Sequence, residues 1–256
     1  MTFAAHLAKV REKSPLVLCL TNFVTVTECA NALLAIGASP VMSLSKDDAA
    51  ELASMASALV LNIGTIDAGF LETMLAAAQA ANAREIPVLL DPVGAGATAE
   101  RLRASRRILE EARPSIVRGN ASEIRALLDI GGPKQKGVDA ASPEEGSHAE
   151  KDAHSLAVAL NTVVAVTGKT DHATDGRKSL SVEGGSELLT KLTGTGCMLS
   201  AMMAAFVAAN PQEPLDAAGS ALALLKKAGE RAESGLTRAL ALGEFKSRLF
   251  DNLAIA

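Results

Sequence analysis

A chain of 256 residues, 48% apolar, 21% charged and carrying a net charge of −4, has room for a large core. No basic block stands out, which excludes nucleic acid as an expected partner, and no Trp or Tyr is present to stack on bases or sugars. The amino-terminal MTFAAHLAKVREK lacks the pattern of a signal peptide, and no uncharged apolar run approaches the ~18 residues of a membrane span.

A cytoplasmic protein with no membrane partner is therefore expected. Three cysteines (Cys19, Cys29 and Cys197) are odd in number and lack a metal-binding spacing, which fits a reducing compartment.

In chain order, PLVLCL (15–20), ALVLNI (58–63), PVLLD (87–91), SIV (115–117) and TVVAVT (162–167) are near-continuously apolar and predict buried strands. Between them, 26–36, 46–56, 67–83, 99–112, 121–129 and 149–160 are rich in Ala, Leu and Glu at helical spacing. This alternation, without a hairpin signal, predicts one α/β domain over residues 1–256, with a mostly parallel central sheet and helices on both faces. Residues 131–152, rich in Gly, Pro, Ser and charge, predict a long exposed loop, either a solvated connection or a flap over a ligand. Beyond Cys197 the pattern is helical nearly to the end.

Ligands of open parallel sheets bind outside the carboxyl ends of the strands. TNFVT (21–25), NIGT (62–65), DPVGAGAT (91–98), RGNASE (118–123) and TGKTD (167–171) follow the five strands and should gather on that edge. TGKT is not a Walker A loop, because Val163 stands where the loop requires Gly. GAGATA (94–99) fits Gly-x-Gly-x-x-Ala but follows Asp-Pro in mid-chain, and no acidic residue closes a following strand, so a dinucleotide site is set aside.

Asp91 precedes Pro92 and a glycine turn, a position for holding hydrated Mg²⁺, for a base, or for capping the next helix. Asn120 and Glu123 have the spacing of a capping box as much as that of a metal site. Arg118, at a strand end, suits either a phosphate or an ordinary surface position. Gly194, Thr195 and Gly196 open an apolar helix with Cys197 in its first turn, a place for an anion to meet backbone N–H groups. The helix dipole there is expected to lower the thiol pKa; the alternative is a small apolar filler beneath the loop. His6, His148, His154 and His172 fall in terminal, loop or helix-start segments and are expected at the surface, leaving Cys197 no partner for covalent catalysis.

Together, TNFVT, DPVGAGAT, RGNASEI, VTG and TGTGC, in this order and spacing, resemble the hydroxyethylthiazole kinase family of the ribokinase-like superfamily, which serves thiamine salvage. The resemblance runs from about Ser14 to Asn210, and the helical tail is compatible with it. It implies transfer of the γ-phosphoryl group of ATP to the primary alcohol of 4-methyl-5-(2-hydroxyethyl)thiazole. Asp91 and Glu123 would help hold Mg²⁺; Arg118 and Thr167 would contact ATP; Gly194 to Cys197 would form an anion hole; Asn22, Met42 and Gly64 would surround the thiazole. Related pyridoxal and hydroxymethylpyrimidine kinases, and ATP-dependent dehydratases, would carry Asp where this chain has Cys197. A regulatory binder without catalysis is the other reading, against which Asp91, Glu123 and the Gly-Thr-Gly loop stand. The family further implies a homotrimer with shared active sites. Residues 142–150 and the Lys169-Thr170 pair depart from its pattern.

Overall fold

A computed structural model describes residues 3–131 and 145–256. The five apolar runs form β1 (Leu16–Leu20), β3 (Ala58–Asn62), β4 (Val88–Asp91), β5 (Ile116–Asn120) and β6 (Val163–Thr167). Three further strands join them: β2 (Ser39–Val41), β7 (Asp171–Thr174) and β8 (Ser179–Val182). One sheet results, in the order β2-β1-β3-β4-β5-β6-β7-β8, parallel from β2 to β6 and antiparallel at β7 and β8.

The antiparallel flank corrects the expectation of no hairpin. Its signal is present in the chain: Asp175 Oδ1 accepts from the Arg177 and Lys178 N–H groups, and Gly176 takes a φ of +80°. Asp-Gly is a hairpin turn pair because both residues tolerate positive φ. Here the flanking strands were too short and polar to announce themselves.

Successive side chains along a strand alternate between faces, so continuously apolar strands need cover on both sides. Val17, Cys19, Val60, Leu89, Ile116 and Ala165 face α1 (Phe3–Lys13), α2 (Val26–Ala35), α8 (Thr195–Ala209), α9 (Pro214–Ser234) and α10 (Leu242–Ala254). Leu18, Leu20, Leu59, Leu61, Leu90, Val117 and Val164 face α3 (Lys46–Met55), α4 (Ala68–Asn82), α5 (Ala99–Ala112), α6 (Ala121–Gly131) and α7 (Glu145–Leu160). α8 is buried along almost its whole length, as a helix apolar on all sides must be. Its amino end thereby lies fixed above the middle of the sheet, against β3 and β4.

Two other expectations change. α7 starts at Glu145, so the last part of the expected loop 131–152 is helical; residues 132–144 lie outside the described residues. His148 and His154 are exposed as expected, but His6 is fully buried and His172 nearly so. His172 sits on β7 with its Nδ1 3.0 Å from Ser181 Oγ. His6 belongs to a polar cluster between helices: Nδ1 is 2.7 Å from Ser220 Oγ, and Nε2 is 3.4 Å from Glu213 Oε2.

Candidate active site

Strand register puts Asn62 beside Asp91 at the ends of β3 and β4, and Asn120 beside Thr167 at the ends of β5 and β6. Asn22 follows β1 on the same edge. The amino end of α8 closes over it, and the turn that lets it do so depends on Gly194, whose φ is +93°. A Cβ there would stand 2.9 Å from Thr25 Cγ2, so strain and crowding both demand glycine.

Asp91 is the centre of the arrangement. It is 1% exposed, and its Oδ2 accepts from Asn62 Nδ2 and Ser200 Oγ, each at 2.8 Å. Arg118 Nη1 lies 4.0 Å from the same oxygen, while Oδ1 is buried with no hydrogen-bond partner among the described residues. Burial raises the carboxyl pKa to about 6, and Glu123 adds to the rise; Arg118, Ser200 and Asn62 oppose it. A carboxylate held in this way has an unused acceptor and an incompletely compensated charge.

Cys197 is half-buried beside it. Its Sγ accepts from Asn62 Nδ2 at 3.2 Å and from Asn22 Nδ2 at 3.4 Å. The amide orientations are fixed independently, because Asn62 Oδ1 accepts from the Gly64 N–H and Asn22 Oδ1 from the Thr25 N–H. The expected lowering of the thiol pKa is overturned. Burial and the neighbouring Asp91 push it up, and hydrogen bonds from Thr25, Asn22 and Asn62 only partly offset them. Removal from water and a nearby negative charge both act against the effect expected of the helix terminus.

Glu123 makes the bonds of a capping residue. Its Oε2 accepts from the Asn120 N–H at 2.8 Å while Asn120 Oδ1 accepts from the Glu123 N–H at 2.9 Å, a reciprocal box. Its Oε1 accepts from the Gly94 N–H at 2.8 Å, which ties the glycine turn after β4 to the start of α6. Among the described residues no group of three or more His, Cys, Asp or Glu side chains stands ready to enclose a metal. The donor set nevertheless fits Mg²⁺, which keeps several waters and takes one or two carboxylates. Asp91 Oδ1 is the unpartnered oxygen such a hydrated ion would meet.

Beside this cluster lies an open cleft of about 1050 Å³, bordered by Arg118, Thr167, Gly168, Gly185, Gly196 and Lys226, among others. Arg118 Nη2 donates to Thr167 Oγ1 at 2.6 Å, and a Cβ on Gly196 would lie 2.7 Å from Arg118 Nη1. The first-turn N–H groups of α8, at Thr195, Gly196 and Cys197, have no acceptor within the helix. Of the anticipated residues, Asn22, Gly64, Asp91 and Cys197 form one cluster, and Arg118, Thr167, Thr195 and Gly196 border the cleft next to it. Met42 is half-buried just past β2, two strands from Asn62, and packs on the α2/α8 core.

Asn62 and Ser200 join the site without having been singled out from sequence. Asn62 uses all its hydrogen-bonding capacity on Asp91, Cys197, Asn22 and Gly64. Its signal was its place at the end of a strand; that of Ser200 was a hydroxyl inside an otherwise apolar helix, three residues after Cys197.

The hydroxyethylthiazole kinase family model matches residues 7–256. A hydroxyethylthiazole kinase of Methanocella arvoryzae is 46% identical over 247 residues, covering 96% of this chain and 90% of that protein. The structure of the hydroxyethylthiazole kinase of Pyrococcus horikoshii superposes with a TM-score of 0.90 at 41% identity, covering 99% and 93% of the two chains. A ribokinase-like superfamily protein of Enterococcus faecalis shares the fold at 12% identity, with a TM-score of 0.61 over 98% and 90% of the chains. The α/β fold is thus ribokinase-like, and the chain belongs to the hydroxyethylthiazole kinase family.

Proposed function

We propose that this chain is an ATP-dependent kinase acting as one catalytic domain, which phosphorylates the primary alcohol of hydroxyethylthiazole for thiamine salvage. The observation that carries the reading is the pairing of a buried, incompletely compensated Asp91 with the open amino end of α8, directly beside the Arg118–Thr167 cleft. ATP lies in that cleft, its phosphates reaching Arg118 and Thr167. Asn22, Gly64 and Met42 form the acceptor side, with the alcohol near Cys197.

As phosphorus leaves the ADP oxygen and bonds to the alcohol oxygen, negative charge spreads over the equatorial oxygens. The N–H groups of Gly-Thr-Gly-Cys are already oriented there, so stabilising that charge costs little reorganisation. Mg²⁺ would be held through Asp91 and, across a water, Glu123; when bound it neutralises phosphate charge. Glu123, with both oxygens already accepting backbone N–H bonds, contributes mainly by keeping the Gly94 turn and α6 in place. Cys197 is a protonated thiol at neutral pH and assists as a polar contact to the alcohol; a loose transition state needs little proton removal in advance.

Phe23, Val24 and Leu44 are exposed apolar side chains on this edge of the sheet, which suits a cytoplasmic homotrimer whose sites are shared between neighbours. Sedimentation that gives a monomer at micromolar concentration would remove the trimer from the proposal.

The test of function is ADP release with MgATP and hydroxyethylthiazole, hydroxymethylpyrimidine, pyridoxal or no acceptor. Turnover with the thiazole alone is expected. Turnover with another alcohol would retain the nucleotide site and overturn the acceptor, and ATP binding without turnover would favour a regulatory binder.

A further inference from the structure

We propose that Lys226 is a positioning residue that staples together the two loops bordering the cleft, and thereby sets affinity for the nucleotide rather than for the acceptor. The inference rests on the reading of that cleft as the ATP site.

β6 and β8 run in the same direction, so the turn after β6 and the loop after β8 emerge on one edge and border one cleft. Neither is rigid by composition. The first is Gly168-Lys169-Thr170; the second contains Gly184 and Gly185, with φ values of +88° and +97°. Lys226 reaches both from α9, its side chain only 8% exposed.

Its ammonium donates to the carbonyls of Lys169 at 2.9 Å and Gly184 at 3.0 Å, and lies 3.5 Å from Asp171 Oδ1. The same carboxylate oxygen accepts from the Gly168 N–H at 2.9 Å. One turn further along α9, Glu230 accepts from the Gly185 N–H at 2.8 Å. A Cβ on Gly185 would lie 3.2 Å from Lys226 Cγ, and one on Gly184 would collide with Glu230, so the glycines are moulded around these two side chains.

Stability alone does not account for this lysine. A buried ion pair is a poor source of stability, because desolvation of both charges consumes most of their attraction. Asp171 shows it: burial raises its carboxyl pKa even with the Gly168 N–H and Lys226 opposing. What the ammonium supplies, and an apolar side chain of the same length cannot, is a simultaneous hold on two loop carbonyls whose positions define the cleft.

Lys226→Met keeps an unbranched side chain of similar volume, one atom shorter, and removes the donors. Steady-state kinetics should show the KM for ATP raised about tenfold or more, with the KM for hydroxyethylthiazole within twofold. Lys226→Met/Asp171→Asn also removes the carboxylate left buried and unpaired. It should regain the thermal stability lost in the single variant while the KM for ATP stays high, because the Lys169 and Gly184 carbonyls still lack their donor.

Recovery of the ATP KM together with stability would reduce Lys226 to a charge partner and overturn the proposal. The double variant serves alone if the single one does not fold. Arg118→Ala, measured in parallel, separates the two readings. A raised ATP KM there but not in Lys226→Met overturns the staple alone; an unmoved KM in both overturns the cleft assignment and the staple with it.

Discussion

α8 carries a buried polar cluster at each end, and the two are built differently. At its carboxyl end, Asn210 Nδ2 donates to the Phe206 and His6 carbonyls, Lys13 Nζ donates to the Ala209 carbonyl, and His6 links to Ser220 and Glu213. These bonds finish a helix and dock α1 and α9 against it. At its amino end Asp91 is buried with one oxygen unpartnered among the described residues, Arg118 Nε is likewise unpartnered there, and burial raises the carboxyl pKa to about 6. The first cluster closes the helix's own loose ends and leaves, among the described residues, a neutral amide oxygen, Asn210 Oδ1, unpartnered; the second leaves groups of a carboxylate and a guanidinium unmet, which a ligand carrying phosphates and a cation can satisfy. Burial alone does not separate structure from function. Charged groups left incompletely compensated after burial do.

The sharpest test replaces the charge and keeps the shape. In Asp91→Asn the remaining oxygen can still accept from Asn62 and Ser200, so the fold should persist while kcat falls by ~10²–10³. Stability should move the other way. The folded carboxyl, at about 6 against an ordinary 3.8, keeps a proton that the unfolded chain has already released. Wild-type stability from this group therefore declines as pH rises from about 4 to about 6, and is level above. The ligand-free, chelator-treated variant should gain on the wild type across that window, by up to ~3 kcal/mol. Thermal melts at pH 4, 6 and 8 check it, and a variant that loses stability at pH 8 would break the contrast between the ends.

Gly196→Ala sharpens the contrast at the next position. The added methyl meets the tip of Arg118, a movable group, and relieves a helix of a glycine, so the melting temperature should hold or rise. Arg118 must then leave Thr167 and Asp91, and the KM for ATP should increase by about tenfold or more. Kinetics and a melt on one preparation decide whether the two quantities separate.

How far the sequence disclosed these ends follows from the distance between partners. Asp91 and the Gly-Thr-Gly turn were legible because each carries its own local signal: a carboxylate ending an apolar strand before Pro92, and small residues opening an apolar helix. The parallel sheet was legible because β1, β3, β4 and β6 are unbroken apolar runs. His6 was not, since its partners lie more than 200 positions away and nothing beside it in the chain marks burial. The direction of the Cys197 shift was hidden similarly: burial and the opposing charge from β4 both arise through the fold, whereas the helix terminus is visible locally. Lys226 holds backbone carbonyls, which leave no trace in residue identities.

Cys197 offers a smaller effect. Its pKa is already raised, so it does not carry charge at neutral pH as the Asp91 carboxylate does. Cys197→Ala should lower kcat by about tenfold and leave the ATP KM unchanged, the order expected for loss of one polar contact. Cys197→Asp should retain activity; a folded, ATP-binding variant with no turnover would sink the equivalence of thiol and carboxylate at this position.

His6→Ala approaches the comparison from its other end. Removing the ring takes away the nitrogen that Ser220 Oγ meets and the contact of Glu213, so ~1–3 kcal/mol of stability should be lost. Ser220 still donates to the Asp216 carbonyl and Asn210 to Phe206, so α9 and the end of α8 keep their own bonds. The loss should therefore register in denaturant unfolding while both KM values and kcat remain within about twofold below the transition. A change in either KM would mean that α8 transmits strain along its length, making its two ends one device. Unchanged kinetics with lowered stability would keep the two ends separate, one holding the helix in place and the other serving the site.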